Sequence, residues 1–204
     1  MSNHNLNIKL FSDGADLDGI KAMAANEWIH GFTTNPTLMR KAGVTDYKGF
    51  AGDVLDIVPD RPVSFEVFAD EFEEMKHQAL EIASWGKNVF VKIPVMNTKK
   101  EFSGKLIREL AKAGVQLNIT AVMTMNQVSA IVECLDDEVP AIISVFAGRI
   151  ADTGIDPIPI MTKAIAFMKQ KPKAELLWAS PRELLNIVQA NDIGCHIITA
   201  TNDI

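Results

Sequence analysis

Short apolar runs, each followed by a stretch with apolar residues at helical spacing, recur along the whole chain, and this alternation limits the fold more than any other feature. Strands are expected near 7–12, 29–34, 63–67, 88–93, 116–121, 140–145, 175–179 and 195–199. Helical spacing predicts helices over Ala15–Asn26, Asp70–Trp85, Thr98–Gly114, Thr124–Cys134, Asp156–Lys169 and Ser180–Asn191. The longer segment between the second and third strands has room for two more short helices. Strand and helix in alternation give a parallel sheet with helices outside. Eight repeats predict an α/β fold whose sheet closes into a (β/α)8 TIM barrel, one domain over residues 1–204. Such barrels typically take ~250 residues, so this one is expected to be compact.

Helix starts support the phasing. Ser180-Pro-Arg-Glu183 has the form of a capping box with proline at the first helical position, and Thr124-Met-Asn-Gln127 the form of a second. Asn35-Pro36 and Asp156-Pro157 read as two further starts. Only a few residues separate the last strand from Ile204, so the eighth barrel helix is expected to be missing.

Composition narrows the partners. Hydrophobic residues make up 48% and charged residues 23%, ordinary for a globular protein. No apolar run approaches the ~18–20 residues of a membrane span. The start, Met-Ser-Asn-His-Asn-Leu-Asn, lacks the basic and apolar segments of a signal peptide. Cys134 and Cys195 are far apart and without metal-ligand spacing, which reads as free thiols in a reducing cytoplasm. A net charge of -6 disfavours nucleic acid, and an anionic small molecule would need local positive charge.

In a parallel barrel the active site lies at the C-terminal ends of the strands. The sequence offers Asp13 after strand one, Thr33, Thr34 and Asn35 after strand two, Glu66 in strand three and Lys92 in strand four. Asn118 and Thr120 follow in strand five, Ser144, Phe146 and Arg149 at the end of strand six, and Ser180 with Arg182 after strand seven. Alternation puts Asn118 with Thr120, and Ser144 with Phe146, on shared faces. Lys92 lies near the end of the apolar, β-branched run Asn88-Val-Phe-Val-Lys-Ile-Pro-Val95. Desolvation there would lower an ammonium pKa by up to ~3–5 units for full burial. A neutral lysine attacks carbonyls and forms Schiff bases, the chemistry of class I aldolases and transaldolases.

Each of these residues has a plainer reading alone. Lys92 could snorkel, Asp13 could start a helix, Asn35 and Ser180 could be caps, and Glu66, Arg149 and Arg182 could be solvated. Asn118 and Thr120 could be turn residues. Together these readings fail, because a closed barrel has no edge strand and a chance Asp, Glu and Lys in its mouth would be costly. Two other readings stay open. One is a metal-dependent barrel enzyme using Asp13 and Glu66, which lacks a third ligand at a strand end because His30 and His196 come early in their strands. The other is a non-catalytic sugar-phosphate-binding barrel.

Gly31-Phe-Thr-Thr-Asn-Pro-Thr-Leu38, Val91-Lys-Ile-Pro94, Asn118-Ile-Thr120, Ser144-Val-Phe-Ala-Gly-Arg149 and Ala179-Ser180 resemble, in order and spacing, the motifs of the transaldolase family. The resemblance runs from Asp13 to about Thr199, and the length is similar to small bacterial-type members, which include fructose 6-phosphate aldolases. It implies that Lys92 is the Schiff-base lysine and that Glu66 is a general acid/base acting through a water. It also implies that Asp13 handles the proton of the C4 hydroxyl and Thr120 holds the catalytic water. Asn35 and Asn118, with Thr33 and Ser144 beside them, are implied to bind the dihydroxyacetone unit, and Arg149, Ser180 and Arg182 the phosphate. That last assignment also has a physical basis if Ser180 opens a helix, whose free N–H groups favour an anion beside two arginines.

Glu66 and Phe146 match the transaldolase branch, whereas the aldolase branch has Gln and Tyr there. A phenyl ring cannot assist a water as a phenol can, which favours transfer over simple aldol cleavage. Two departures are the short Ser180-Pro-Arg loop and the end of strand eight, Ile198-Thr-Ala-Thr201, which differs from the usual Ile-Pro or Leu-Pro. The family implies a cytoplasmic homo-oligomer acting on sugar phosphates, with no metal, no organic cofactor, no nucleic acid and no membrane.

Overall fold

The computed structural model describes residues 6–204, so most of the N-terminal segment read above for a signal lies outside the described residues. Eight strands run β1 Lys9–Asp13, β2 Ile29–Thr33, β3 Val63–Glu66, β4 Val89–Pro94, β5 Leu117–Val122, β6 Ala141–Val145, β7 Ala174–Trp178 and β8 Ile197–Ala200. Each pairs in parallel with the next, and β8 returns to β1, closing the (β/α)8 barrel. Every strand bound lies within two residues of its expected place.

The helices are α1 Leu17–Ala24, α2 Pro36–Lys41, α3 Tyr47–Ile57, α4 Phe72–Ala83, α5 Gly104–Lys112, α6 Met125–Val132, α7 Ala147–Asp152, α8 Ile158–Met168 and α9 Leu185–Asp192. The two short helices expected between β2 and β3 are α2 and α3. Asn35 caps α2 by accepting from the Leu38 N–H at 3.0 Å, and Thr124 with Gln127 forms the expected capping box of α6.

Three expectations need correction. Helix α5 begins at Gly104, not Thr98, because Asn97 and Glu101 bond to each other through both backbone and side chains, an alternative to helix that also puts Lys100 at φ 64°. The Ser180 capping box does not form. Ser180 adopts φ 58°, and α9 starts only at Leu185. Helix α7 was not expected at all.

Alternation along the strands splits the core in two. Outward residues such as Val91, Ile93, Ile119, Ile143 and Trp178 are buried beneath the helices. Inward, Phe11, Ile142, Leu177 and Ile197 form a separate apolar cluster against which Phe90 packs, filling the barrel axis. Gly31 makes room for it, since a Cβ there would stand 2.5 Å from the Phe11 ring. Two residues earlier on β1 and β7, Lys9 and Glu175 pair at 2.8 Å on the same inward face.

Candidate active site

Two residues further along those same strands, the inward face turns polar. Asp13 follows Phe11, Lys92 follows Phe90, Ser144 follows Ile142 and Thr199 follows Ile197, each one layer above the apolar floor. They open into a cavity of about 600 Å³ at the C-terminal ends of the strands. Apart from Thr34, whose hydroxyl turns aside to the Ser64 carbonyl, every site residue singled out in the sequence lines this cavity.

Lys92 sits at its floor, only 9% exposed. Register sets Glu66 and Asn118 on either side of it, on β3 and β5. Its Nζ lies 3.1 Å from Glu66 Oε2 and donates to the Thr34 carbonyl at 3.1 Å. Glu66 therefore touches the amine directly. The lysine does not snorkel, and a buried ion pair of this kind is retained at a cost in desolvation.

Asp13 accepts from the Thr33 hydroxyl at 2.8 Å and from the Asn35 amide at 3.4 Å. Burial pushes its carboxyl above the usual carboxylate range, against the opposing charge of Lys92 and these two hydrogen bonds. A carboxyl that is reluctant to ionise is a strong base once it has done so. Thr33 is thus committed to Asp13, and its hydroxyl also meets that of Thr199 at 2.6 Å.

Asn118 is held from both sides. Its Nδ2 donates to Ser64 Oγ at 2.9 Å and its Oδ1 accepts from Ser144 Oγ at 2.6 Å. That chain fixes the amide orientation across β3, β5 and β6. Thr120 has the opposite character, because its hydroxyl is buried with no hydrogen-bond partner among the described residues. Leaving a buried hydroxyl unpaired costs about 1–3 kcal/mol, and Thr120 lines the cavity, where a bound group or a water can pair with it. Directly after it Ala121 takes φ 60°, where the β5–β6 register slips between Ile119 and Val122. Such bulges re-aim strand-end side chains and occur beside active sites.

The cationic rim differs from expectation. With Ser180 outside any helix, no helix N-terminus starts there to attract an anion. Instead Gly148 in α7 packs against Ser180 so closely that a Cβ would stand 1.5 Å from its carbonyl oxygen. This contact joins the Arg149 helix to the Ser180 loop. Arg182 is already clasped by Asp152, Nε to Oδ1 at 3.0 Å and Nη2 to Oδ2 at 2.5 Å. Its guanidinium holds Asp152 below the usual carboxylate range, and among the described residues the rest of the fork has no hydrogen-bond partner. Phe146 is half-buried at the rim against the inner apolar cluster.

Sequence reading missed Ser64, Thr199, Lys41 and Thr201, of which Ser64 bonds Asn118 and the other three line the cavity. Ser64 and Thr199 were findable in principle, because each lies at an even spacing from an inward neighbour, Glu66 and Ile197. Among the described residues no three His, Cys, Asp or Glu side chains converge as a metal site, and no helix is long and apolar enough to cross a membrane.

A family model described as transaldolase/fructose-6-phosphate aldolase matches residues 10–204. A protein of Dehalococcoides mccartyi named "Probable transaldolase" is 34% identical over 193 residues, covering 94% of this chain and 86% of that protein. A protein of the same name from Methanococcus maripaludis is 31% identical over 198 residues, covering 97% and 87%. Among solved structures, KGPDC from Streptococcus mutans superposes with a TM-score of 0.62 at 10% identity, over 95% of this chain and 88% of that one. Dihydrodipicolinate synthase from Rhodopseudomonas palustris gives 0.61 at 14% identity, over 95% and 69%. These two likenesses bear on the fold alone.

Proposed function

This chain belongs to the transaldolase/fructose-6-phosphate aldolase family, and from that premise we propose that it moves a dihydroxyacetone unit between sugar phosphates through a Schiff base on Lys92. The donor is a ketose phosphate such as fructose 6-phosphate or sedoheptulose 7-phosphate. The acceptor is an aldose phosphate such as erythrose 4-phosphate or glyceraldehyde 3-phosphate. The observation that carries this reading is the buried contact of Lys92 with Glu66 at 3.1 Å beneath an open polar mouth.

Glu66 takes the proton of the amine, which attacks the C2 carbonyl, and returns it as the carbinolamine loses water. Asp13 then removes the proton of the C4 hydroxyl. The C3–C4 bond breaks, its electron pair moves to the iminium nitrogen, and an aldose phosphate leaves. The remaining enamine attacks the acceptor aldehyde, Asp13 gives the proton back to the new hydroxyl, and water, held by Thr120, releases the product. Asn118 and Ser144 orient the dihydroxyacetone hydroxyls, with Asn35 beside Asp13. Arg149, Ser180 and Arg182 take the phosphate, and Arg182 does so from its Asp152 clasp. Phe146 supplies no proton to water at the rim, which favours transfer over release of free dihydroxyacetone.

The free cysteines are buried, and burial pushes the Cys195 thiol up to about 12, so neither is set for redox chemistry. A borohydride trap tests the function. The protein is mixed with fructose 6-phosphate, reduced, and weighed intact, with and without erythrose 4-phosphate. A dihydroxyacetone adduct on Lys92 that disappears with acceptor, and that Lys92→Met never forms, is the expected result. A folded protein that gives no adduct would leave a sugar-phosphate-binding barrel.

A further inference from the structure

We propose that Thr199 is a positioning residue for the Asp13 carboxyl, acting through Thr33. The inference rests on the reading of Asp13 as the base of the cleavage step. Thr199 lies on β8, in register with Phe11 of β1, and is 7% exposed. Its hydroxyl is 2.6 Å from that of Thr33, which is 2.8 Å from Asp13 Oδ1. Among the described residues, Thr33 is the hydrogen-bond partner of the Thr199 hydroxyl.

Counting protons fixes the direction. Each threonine hydroxyl has one proton, and an ionised carboxylate only accepts. While Asp13 is ionised, the Thr33 proton must point to Oδ1. The contact between the two threonines can then be filled only by the proton of Thr199. The chain therefore runs Thr199 to Thr33 to Asp13, and each donor strengthens the next. Without the Thr199 hydroxyl, Thr33 remains free to rotate its proton and donates more weakly.

Among the described residues, the other carboxyl oxygen, Oδ2, has only the longer Asn35 contact, 3.4 Å, and the Asn35 oxygen is occupied as the cap of α2. Oδ1 is thus the anchored oxygen and Oδ2 the one left for the C4 hydroxyl. Thr199 holds this asymmetry from the far side of β1. Other charged groups also face Asp13. Across the cavity are Lys92 from β4 with Glu66 from β3, Lys41 from α2, Arg149 from α7 and Arg182 from the loop before α9. Asp16 and Asp203 share a second hollow with it. None of these changes in a Thr199 variant.

Thr199→Val keeps the volume and removes the hydroxyl, and Thr199→Ser keeps the hydroxyl. In Thr199→Val the Lys92 adduct forms as in the parent, but kcat falls on the order of tenfold, less than the ~10²–10⁴ expected for losing the base itself. A weaker donor stabilises the carboxylate less, so Asp13 holds its proton to higher pH and the acidic limb of kcat moves up. Thr199→Ser restores both. A packing role would show as a lower melting temperature with the limb unmoved. A carbon-NMR titration of the Asp13 carboxyl reads the same shift without turnover, so it decides the inference even in a protein that forms no adduct. An unchanged Asp13 midpoint in Thr199→Val, or a serine variant no nearer the parent than valine, would overturn the proposal. A parent without adduct would overturn the Schiff-base reading instead.

Discussion

Asp13 is held where burial opposes its charge, and that tension makes a prediction of definite sign. Its folded-state pKa is raised, with desolvation outweighing Lys92, Thr33 and Asn35. A carboxyl of this kind contributes stability that is full below its unfolded value of ~3.9 and is lost as pH rises through the folded value. Asp13→Asn should therefore melt above the parent at pH 8, with the gap closing as pH falls towards 4, when thermal unfolding is followed across pH. The same variant should lose ~10²–10⁴ in kcat if Asp13 is the base. Function would then be maintained at a cost in stability. The lysine, the two carboxyls and the amides were legible because charged or amide residues in apolar strands are conspicuous. The pairing of Thr33 with Asp13 and Thr199 was not legible, because threonine is an ordinary strand residue and its partners lie on other strands.

Among the elements, the contact between α7 and the Ser180 loop is the tightest constraint on the rim. Gly148→Ala would drive a methyl into the Ser180 carbonyl, since the built Cβ stands 1.5 Å from that oxygen. We expect a loss of about 1–3 kcal/mol in chemical denaturation, or more if the loop cannot shift. A higher KM for phosphorylated donors should accompany it, because Arg149 and Ser180 move apart. The same contact explains where sequence reading failed. Ser180-Pro-Arg-Glu183 has the local signature of a cap, but Gly148 donates to the Ala179 carbonyl and holds Ser180 at φ 58°, so tertiary packing overrides it. Helix α7 gave no signal, being six residues long with no side-chain cap at Phe146. The strands were readable because a closed parallel barrel buries both of their faces, which leaves near-continuous apolar runs.

For the molecule as a whole, the net charge of -6 opposes the anionic substrate proposed for this rim. Arg149 and Arg182 act locally, and Asp152 already neutralises part of their charge. Screening should weaken their pull on phosphate, since the Debye length drops from ~10 Å at 0.1 M salt to ~3 Å at 1 M. We expect KM for fructose 6-phosphate to rise across that range while kcat holds, read from initial rates at each ionic strength. A flat KM would place the phosphate away from these arginines. The inner apolar cluster of Phe11, Phe90, Ile142, Leu177 and Ile197 has a consequence for the order of events. It stops the axis from below, which leaves the strand-end mouth, among the described residues, as the way into the chamber. In the proposed transfer, the first aldose would leave through the opening by which the second arrives, so two sugars would wait their turn at one threshold while the enamine alone stayed inside.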